Sequence, residues 1–503
     1  MKKIERSIFI ILIFISYLPV HSQAGLRPRG DVDCDWRVSI NDVSVIIDSI
    51  MRQTKYHSFY NYACDVNRDK NINISDAVML IDAILGQELP PMPSYSGTLP
   101  VLFINTEGYR NIDSKEEYLH ADWWLDNMGI EGYESIGSPD IPQGMQIKGR
   151  GNYTWVMFKK KSFRVKLDSK QPVLGMHNDR HFCLLAHPDD HFAKLKNTMG
   201  FELSRRIGMA YTPEQRPVEV VLNGQYIGLY FLTEKIRVGK HRVNIEEQMD
   251  GETDADRITG GWLLEIDNYR QDHQFDIKER NNGQNWYDWI WFTLHSPEDL
   301  SNEQRQYIEQ FLTTTNDAIY THNKTDHKWE QYIDIDSLVC FYIVQEMLDN
   351  IEAFAGSCFL HKDRGDSTKL IFGPVWDFGQ AFGRIERTDA TDFNYFVYQD
   401  CSFDNTHWIE EIAKFPKFQL AVIKRWREFY NSSFNGLDID QFIEDFTNHI
   451  RKAIQCDEAR WSRIKLDQEA ELFKNYLHSK ITWLDSKWGI AANIDIDGQG
   501  INP

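Results

Sequence analysis

Two sets of carboxylates in this chain have the spacing of metal ligands. In the first, Asp31, Asp33 and Asp35 stand at positions 1, 3 and 5 of an acidic loop with Asp42 at position 12. An offset of 34 residues repeats the set as Asp65, Asn67, Asp69, Asn71 and Asp76 at positions 1, 3, 5, 7 and 12. Alternate oxygen donors that curl back to a carboxylate at position 12 suit a hard cation such as Ca²⁺, one per loop. The second set brackets a predicted hairpin. Asp349, Asn350 and Glu352 precede Gly356-Ser-Cys-Phe-Leu-His-Lys, the turn falls at Asp363-Arg-Gly-Asp-Ser, and Lys369-Leu-Ile-Phe leads into Trp376-Asp377-Phe378-Gly379. An acid before such a hairpin to orient an acceptor hydroxyl, and a second after it to hold Mg²⁺, is a common way to build a phosphoryl-transfer site.

Phosphate also needs positive charge. The chain carries 55 Lys+Arg against 75 Asp+Glu, a net charge of −20, which repels nucleic-acid backbones and argues against a nucleic-acid partner. Residues 146–170 reverse the sign, with Lys148, Arg150, Lys159, Lys160, Lys161, Arg164, Lys166 and Lys170 against the single acid Asp168. Lys161-Ser-Phe-Arg-Val-Lys-Leu alternates as a strand does, so residues two apart share a face. Lys166 is the first candidate to grip a phosphate, Lys161 its neighbour, and Arg150 the anchor of an Arg-Gly-Asn turn. The competing reading is a solvated basic edge that discourages aggregation.

The elements that must position these groups follow from pattern. Each acidic loop runs into an apolar-periodic helix, Asp42-Val-Ser-Val-Ile-Ile-Asp-Ser-Ile-Met and Asp76-Ala-Val-Met-Leu-Ile-Asp-Ala-Ile-Leu. Prolines 90, 91 and 93 write a semi-rigid linker over 89–98, so a small all-α module at 23–88 is expected to precede a large domain at 99–490. In that domain strands are expected at 101–104, 146–148, 162–167, 218–222, 226–232 and 262–266, with Asn223-Gly224 as a hairpin turn. Helices are expected at 302–322, 335–349, 407–431, 440–456 and 463–485, so the fold class is α+β, strand-rich first and helical second. With 42% hydrophobic residues the chain has material for a sizeable core.

Residues 1–22 read as a secretory signal peptide: Lys2, Lys3 and Arg6 lead an apolar run, Ile8 to Leu18, that is too short to span a bilayer. The reading gives a secreted protein, periplasmic, cell-surface or extracellular, without stable membrane insertion. Residues 491–503 are expected to be a flexible tail. Seven cysteines do not make a disulfide framework, although Cys34 and Cys64, one in each half of the repeat, could pair.

The repeat resembles the type I dockerin, a module with two Ca²⁺ loop-helix units that plugs into a cohesin partner. Trp36 and Lys70 depart from it at position 6 of each loop, where Gly eases the turn. The resemblance implies that positions 10 and 11, here Ile40, Asn41, Ile74 and Ser75, help to choose the partner. The larger domain resembles the CotH kinase family through Ile147-Lys-Gly-Arg-Gly-Asn-Tyr-Thr-Trp155, Lys160-Lys-Ser-Phe-Arg-Val-Lys-Leu167, Leu184-Leu-Ala-His-Pro-Asp-Asp190 with Lys196-Asn197, Val218 to Lys235, Arg242-Val-Asn-Ile245, Gly356-Ser-Cys-Phe-Leu360 and Gly373-Pro-Val-Trp-Asp-Phe-Gly-Gln-Ala-Phe-Gly383. It implies an atypical protein-kinase-like fold, ATP with Mg²⁺ or Mn²⁺, and transfer of the γ-phosphate to Ser or Thr of a protein substrate. By motif it implies Asp377 as the metal-binding Asp and the acid two after Asn350 as the other essential carboxylate. That acid is Glu352 where the family usually has Asp, and Gly379 stands where many members have a second Asp. These departures favour the alternative of a catalytically weak or inactive kinase-fold component, structural or adhesive, in a dockerin-cohesin assembly. A polysaccharide-degrading role is weaker, because Asp189 and Asp190 are adjacent and would diverge on a strand.

Overall fold

A computed structural model describes residues 25–52, 63–67, 69, 71–89, 94–267, 275–279, 289–383, 393–399, 407–432, 436–461 and 463–490. Residues 1–22, read as a signal peptide, Lys70, residues 90–93 of the expected linker and residues 491–503, read as a tail, lie outside the described residues. The chain forms two compact units: one of residues 1–188, 216–233 and 449–464, the other of 189–215, 234–448 and 465–503.

In the first unit the two acidic loops feed helices α1 (Ile40–Arg52) and α2 (Ile74–Ile84), which close over Val32, Val43, Ile46, Val66, Ala77 and Leu80. Cys34 and Cys64 are both free thiols, so the pairing that their placement allowed is not made. The larger part is a closed seven-stranded barrel in the order β1-β2-β3-β4-β5-β7-β6. Its strands are β1 (Val101–Thr106), β2 (Leu119–Asp126), β3 (Gln143–Arg150), β4 (Ser162–Gln171), β5 (Asp179–Leu185), β6 (Gln215–Leu222) and β7 (Gln225–Glu234), with the short helix α3 (Tyr153–Met157) between β3 and β4. Parallel pairing of β1 with β6 completes the closure. The expected hairpin turn is present, with Asn223 and Gly224 both at positive φ, 52° and 73°. Along β4, Phe163, Val165 and Leu167 point into the barrel core, which leaves Arg164 and Lys166 on its outer side.

Strand β7 is buried along its whole length, so its backbone groups need partners. At Leu229 they come from charged side chains: Lys160 Nζ donates to the carbonyl at 2.7 Å, and Asp457 accepts from the amide at 2.8 Å. The two side chains pair with each other at 2.6 Å, both nearly inaccessible to water. Gly228 (φ 108°) makes room, since a Cβ there would stand 2.0 Å from the Asp457 carboxylate.

The second unit is built on an antiparallel sheet in the order β12-β11-β8-β10-β9. These are β8 (Trp262–Ile266), β9 (Phe275–Lys278), β10 (Trp289–Ser296), β11 (Cys358–Lys362) and β12 (Ile371–Phe372), so the predicted hairpin around 363–367 is made by β11 and β12. The helices are α4 (Leu195–Ile207), α5 (Asn302–Ile319), α6 (Ile335–Met347), α7 (Trp408–Ile412), α8 (Pro416–Ser432), α9 (Gly436–Glu458), whose residues 449–458 belong to the first unit, and α10 (Leu466–Trp488). The single helix expected over 407–431 is two, because Pro416 has no N–H to continue the first and is well suited to begin the second. Strands β2, β5, β9 and β10 and helix α4 were not expected. Charged or adjacent aromatic residues blur the alternation in β2 and β5, and Asn197 and Gly200 interrupt the apolar face of α4. The chain is α+β as expected. No helix among the described residues is long and apolar enough to cross a membrane.

Asp457→Asn leaves the Lys160 ammonium buried without its counter-charge, and should lower stability by about 3 kcal/mol or more in urea denaturation. The paired change Lys160→Gln with Asp457→Asn removes both charges yet keeps a donor for the Leu229 carbonyl and an acceptor for its amide, and should recover a large part of that loss. Equal loss in single and paired variants would show that the charge pair is not what matters.

Candidate functional site

In the first acidic loop the position-12 carboxylate ties the chain into a ring. Asp42 accepts from the amides of Val32 and Asp33 through Oδ1 and of Ser39 through Oδ2, at 2.6, 3.1 and 2.7 Å. Asp31, Asp33 and Asp35 are thereby gathered, with a ligand atom of each within 4.8 Å of the others. Burial pushes the Asp31 carboxyl up to about 7, against the opposing pull of Arg27. A buried carboxylate with two others beside it is the environment a divalent cation relieves, so these residues fit Ca²⁺. The second loop repeats the scheme: Asp76 accepts from the amides of Asn67 and Asn73, and Asn67 and Asp69 accept from the amides of Asp69 and Asn71. Ile40, Asn41, Ile74 and Ser75, at positions 10 and 11 of the two loops, are all exposed.

In the second unit Asp377 stands just past the β11–β12 hairpin at φ 54°, exposed, its carboxylate accepting from the Gly379 amide at 3.1 Å. Helix α4 cradles this segment. Asn197 accepts from the Phe378 amide at 3.1 Å and Lys196 Nζ donates to the Gly379 carbonyl at 2.9 Å. Gly200 is required here by close approach, since a Cβ would stand 2.1 Å from the Phe378 ring. Ahead of the helix, Asp189 and Asp190 do not lie on a strand, which corrects the expectation that they would diverge as strand neighbours. They occupy a turn and serve different ends. Asp190 accepts from the amides of Phe192 and Lys196, fastening the entry to α4. Asp189 comes to Asp377: desolvation first, and then the Asp377 carboxylate, push its carboxyl up to about 6, with Lys196 pulling the other way. Gly379 lies beside both, and a Cβ on it would be 3.1 Å from Asp377 Oδ1 and 3.8 Å from Asp189 Oδ2. The residue without a side chain therefore leaves open the space next to two converging carboxylates. Asp189 and Asp377 fit a divalent cation.

The turn before the hairpin is tied to this site. Phe382 N–H donates to the carbonyls of Leu348 and Asp349, and Asn350 Nδ2 donates to the Gln345 side chain at 2.9 Å and to the Asp377 carbonyl at 3.3 Å. Asn350 is 1% exposed and its Oδ1 has no partner among the described residues, a buried acceptor left open at this end of the site. Glu352 is half-buried in the same turn. Behind it Asp349, at φ 48°, is held by Lys480 Nζ at 3.0 Å and by the Tyr395 hydroxyl. Lys480 also pairs with Glu346 at 3.5 Å. Glu346 is wholly buried and accepts from the Val397 amide, and desolvation raises its carboxyl to about 7 in spite of Lys480.

The basic candidates lie in the first unit. Lys166 is half-buried on the outer side of β4, opposite Gln146, while Lys148 and Arg164 face each other on the next rung but one. Lys161 donates to the Trp155 carbonyl and lies 5.3 Å from that indole ring, and burial lowers its ammonium. Arg150 ends β3. Sequence pattern alone places Asp189 and Lys196 in strings that resemble the family and gives neither a part in phosphoryl transfer. The available signal was an Asp-Asp pair followed at short range by Lys-Asn at the start of a helix.

A family model described as CotH kinase protein matches residues 147–484, and one described as Dockerin type I domain matches residues 29–85. The comparison with curated proteins finds no match.

Glu346 gives a pH test of the support behind the site. Its folded-state pKa is raised, so the proton it keeps stabilises the fold at low pH, and that contribution is lost as pH rises through about 7. Glu346→Gln should therefore gain stability relative to the wild type as pH rises from 5 to 8, read as the difference in melting temperature. A constant difference across that range would contradict the assignment.

Proposed function

The chain belongs to the CotH kinase family and carries a type I dockerin domain, and on that premise we propose that it is an exported phosphotransferase of kinase-like fold, tethered to a partner assembly by its dockerin. The observation that carries the reading is the convergence of Asp377 and Asp189 beside the open space at Gly379, backed by Lys196. In this reading Asp377 and Asp189 hold Mg²⁺ or Mn²⁺, while Lys166, Lys161 and Arg150 of the first unit are the phosphate candidates that the sequence offers. The metal would neutralise charge developing on the transferred phosphoryl group. The acceptor is a Ser or Thr hydroxyl of a protein. Its oxygen forms the new P–O bond as the bond to the ADP oxygen breaks, and its proton passes to Glu352. Glu352 is one methylene longer than the Asp usual in the family, which alters in-line geometry. That substitution, with Gly379, supports a second reading in which the domain binds partners without turnover.

Dockerin domains bind cohesins, and the dockerin implies Ca²⁺. The docking face we infer is duplicated. Ile40, Ile47 and Met51 on α1, and Ile74 and Ile81 on α2 with Leu85 at its C-cap, are exposed apolar residues at the same 34-residue offset as the loops. The spacing of 7 and then 4 residues puts each trio along one side of its helix.

Two experiments test these roles. Purified protein incubated with labelled ATP and Mn²⁺ should incorporate phosphate, and Asp377→Ala should reduce incorporation roughly 100-fold. Equal labelling would sink the enzymatic reading, and nucleotide binding without labelling in the wild type would select the non-catalytic one. For docking, the pair Ile47→Asp with Ile81→Asp should abolish capture by a cohesin in Ca²⁺, whereas either change alone leaves one face intact. Full capture by the double variant would place the contact elsewhere.

A further inference from the structure

The side chain at position 6 of the first acidic loop has no part in the chemistry above. Trp36 occupies it at φ 66°, a left-handed backbone that bulky residues disfavour. Its indole Nε1–H donates to the Tyr109 hydroxyl at 3.2 Å, and Tyr109 is itself at φ 52°. Two large aromatic residues thus adopt disfavoured backbone and meet each other. Between them and the barrel wall lies an open cleft of about 320 Å³, lined also by Trp124, Asn105, Asp122 and Pro139. The polar members are set by register. Asn105 and Asp122 face each other across β1 and β2, and two residues along, on the same side of the ladder, come Phe103 and Trp124. The latter two rings stack at 4.9 Å with 5° between their planes, which fixes the indole of Trp124. Asp122 is exposed, and its carboxylate has no ion-pair partner among the described residues. Among the described residues no Lys or Arg lines the cleft.

Three aromatic side chains and one uncompensated carboxylate around a cleft without a cation are the elements of an ammonium-recognition site. We propose that this cleft binds an organic cation, an alkylated ammonium group held against the aromatic rings and paired with Asp122. Because the indole N–H is already bonded to Tyr109, Trp36 offers the ligand its apolar ring surface. The Trp36 amide donates to Asp31 Oδ2 at 3.0 Å, so the conformation of the first acidic loop sets where the indole stands. Occupancy of that loop by Ca²⁺ and occupancy of the cleft are therefore coupled.

Calorimetric titration of the full chain with choline tests the assignment, with 3,3-dimethylbutan-1-ol as the neutral probe of the same shape. Choline should bind in Ca²⁺, bind more weakly after chelation, and bind about tenfold more weakly to Asp122→Asn, with the neutral alcohol weaker still. Unchanged Ca²⁺-dependent melting of Asp122→Asn shows that the fold is kept. A trimethyl-lysine peptide distinguishes sources: tighter binding than choline assigns the site to a side chain of a protein partner, and equal binding to a free small cation. Equal binding of the alcohol, full affinity in Asp122→Asn, or saturable binding of a neutral oligosaccharide with none of choline would overturn the proposal.

Discussion

Two carboxylates, Glu346 and Asp349, are buried to the last few ångströms with the ammonium of Lys480 between them, and much of the second unit is arranged around that charge set. A buried carboxylate demands either a counter-charge or a proton. Lys480 supplies the first from helix α10, more than a hundred positions along the chain, and the raised carboxyl of Glu346 shows that the supply is incomplete. The consequence is positional. Asp349 is fastened at φ 48° by Lys480 and Tyr395, Asn350 next to it reaches the carbonyl of Asp377, and Phe382 bonds back to the same turn. The turn that carries Asn350 and the segment that carries Asp377 thus rest on a buried charge set.

The acidic loops use a related device. In each, the position-12 Asp accepts backbone amides on both sides of the ring, so one carboxylate fixes loop shape while those at positions 1, 3 and 5 are left to converge. Convergence of like charges is unfavourable without a cation, which is why burial raises Asp31. Trp36 adds a contact that such a loop does not need for its ion, and ties the first loop to Tyr109.

Much of this was legible. The ligand spacing of both loops, the helices after them, the Asn223-Gly224 turn and the hairpin ahead of Asp377 all follow from local pattern, because loop position, turn chemistry and alternation act over a few residues. The role of Asp189 was not legible. Adjacent to Asp190 in sequence, it is separated from it by a turn in which one caps α4 and the other meets Asp377. The basic strand was legible only as a run of charge. Lys160, in the middle of that run, is buried against Asp457 and stabilises β7, while Lys166, six residues on, faces outward.

By itself the sequence determined the α+β class, the duplicated cation loops, the charge reversal over 146–170 and the family. These are properties of periodicity, spacing and composition, and they survive any arrangement of the elements in space. Only the tertiary structure decided which charges are compensated and which remain for function. Lys160 with Asp457, Lys480 with Asp349, and Asp189 with Asp377 are separated by 297, 131 and 188 positions respectively. Whether a buried charge is neutralised depends on distance in the fold and on exclusion of water, and neither is written into the neighbours along the chain.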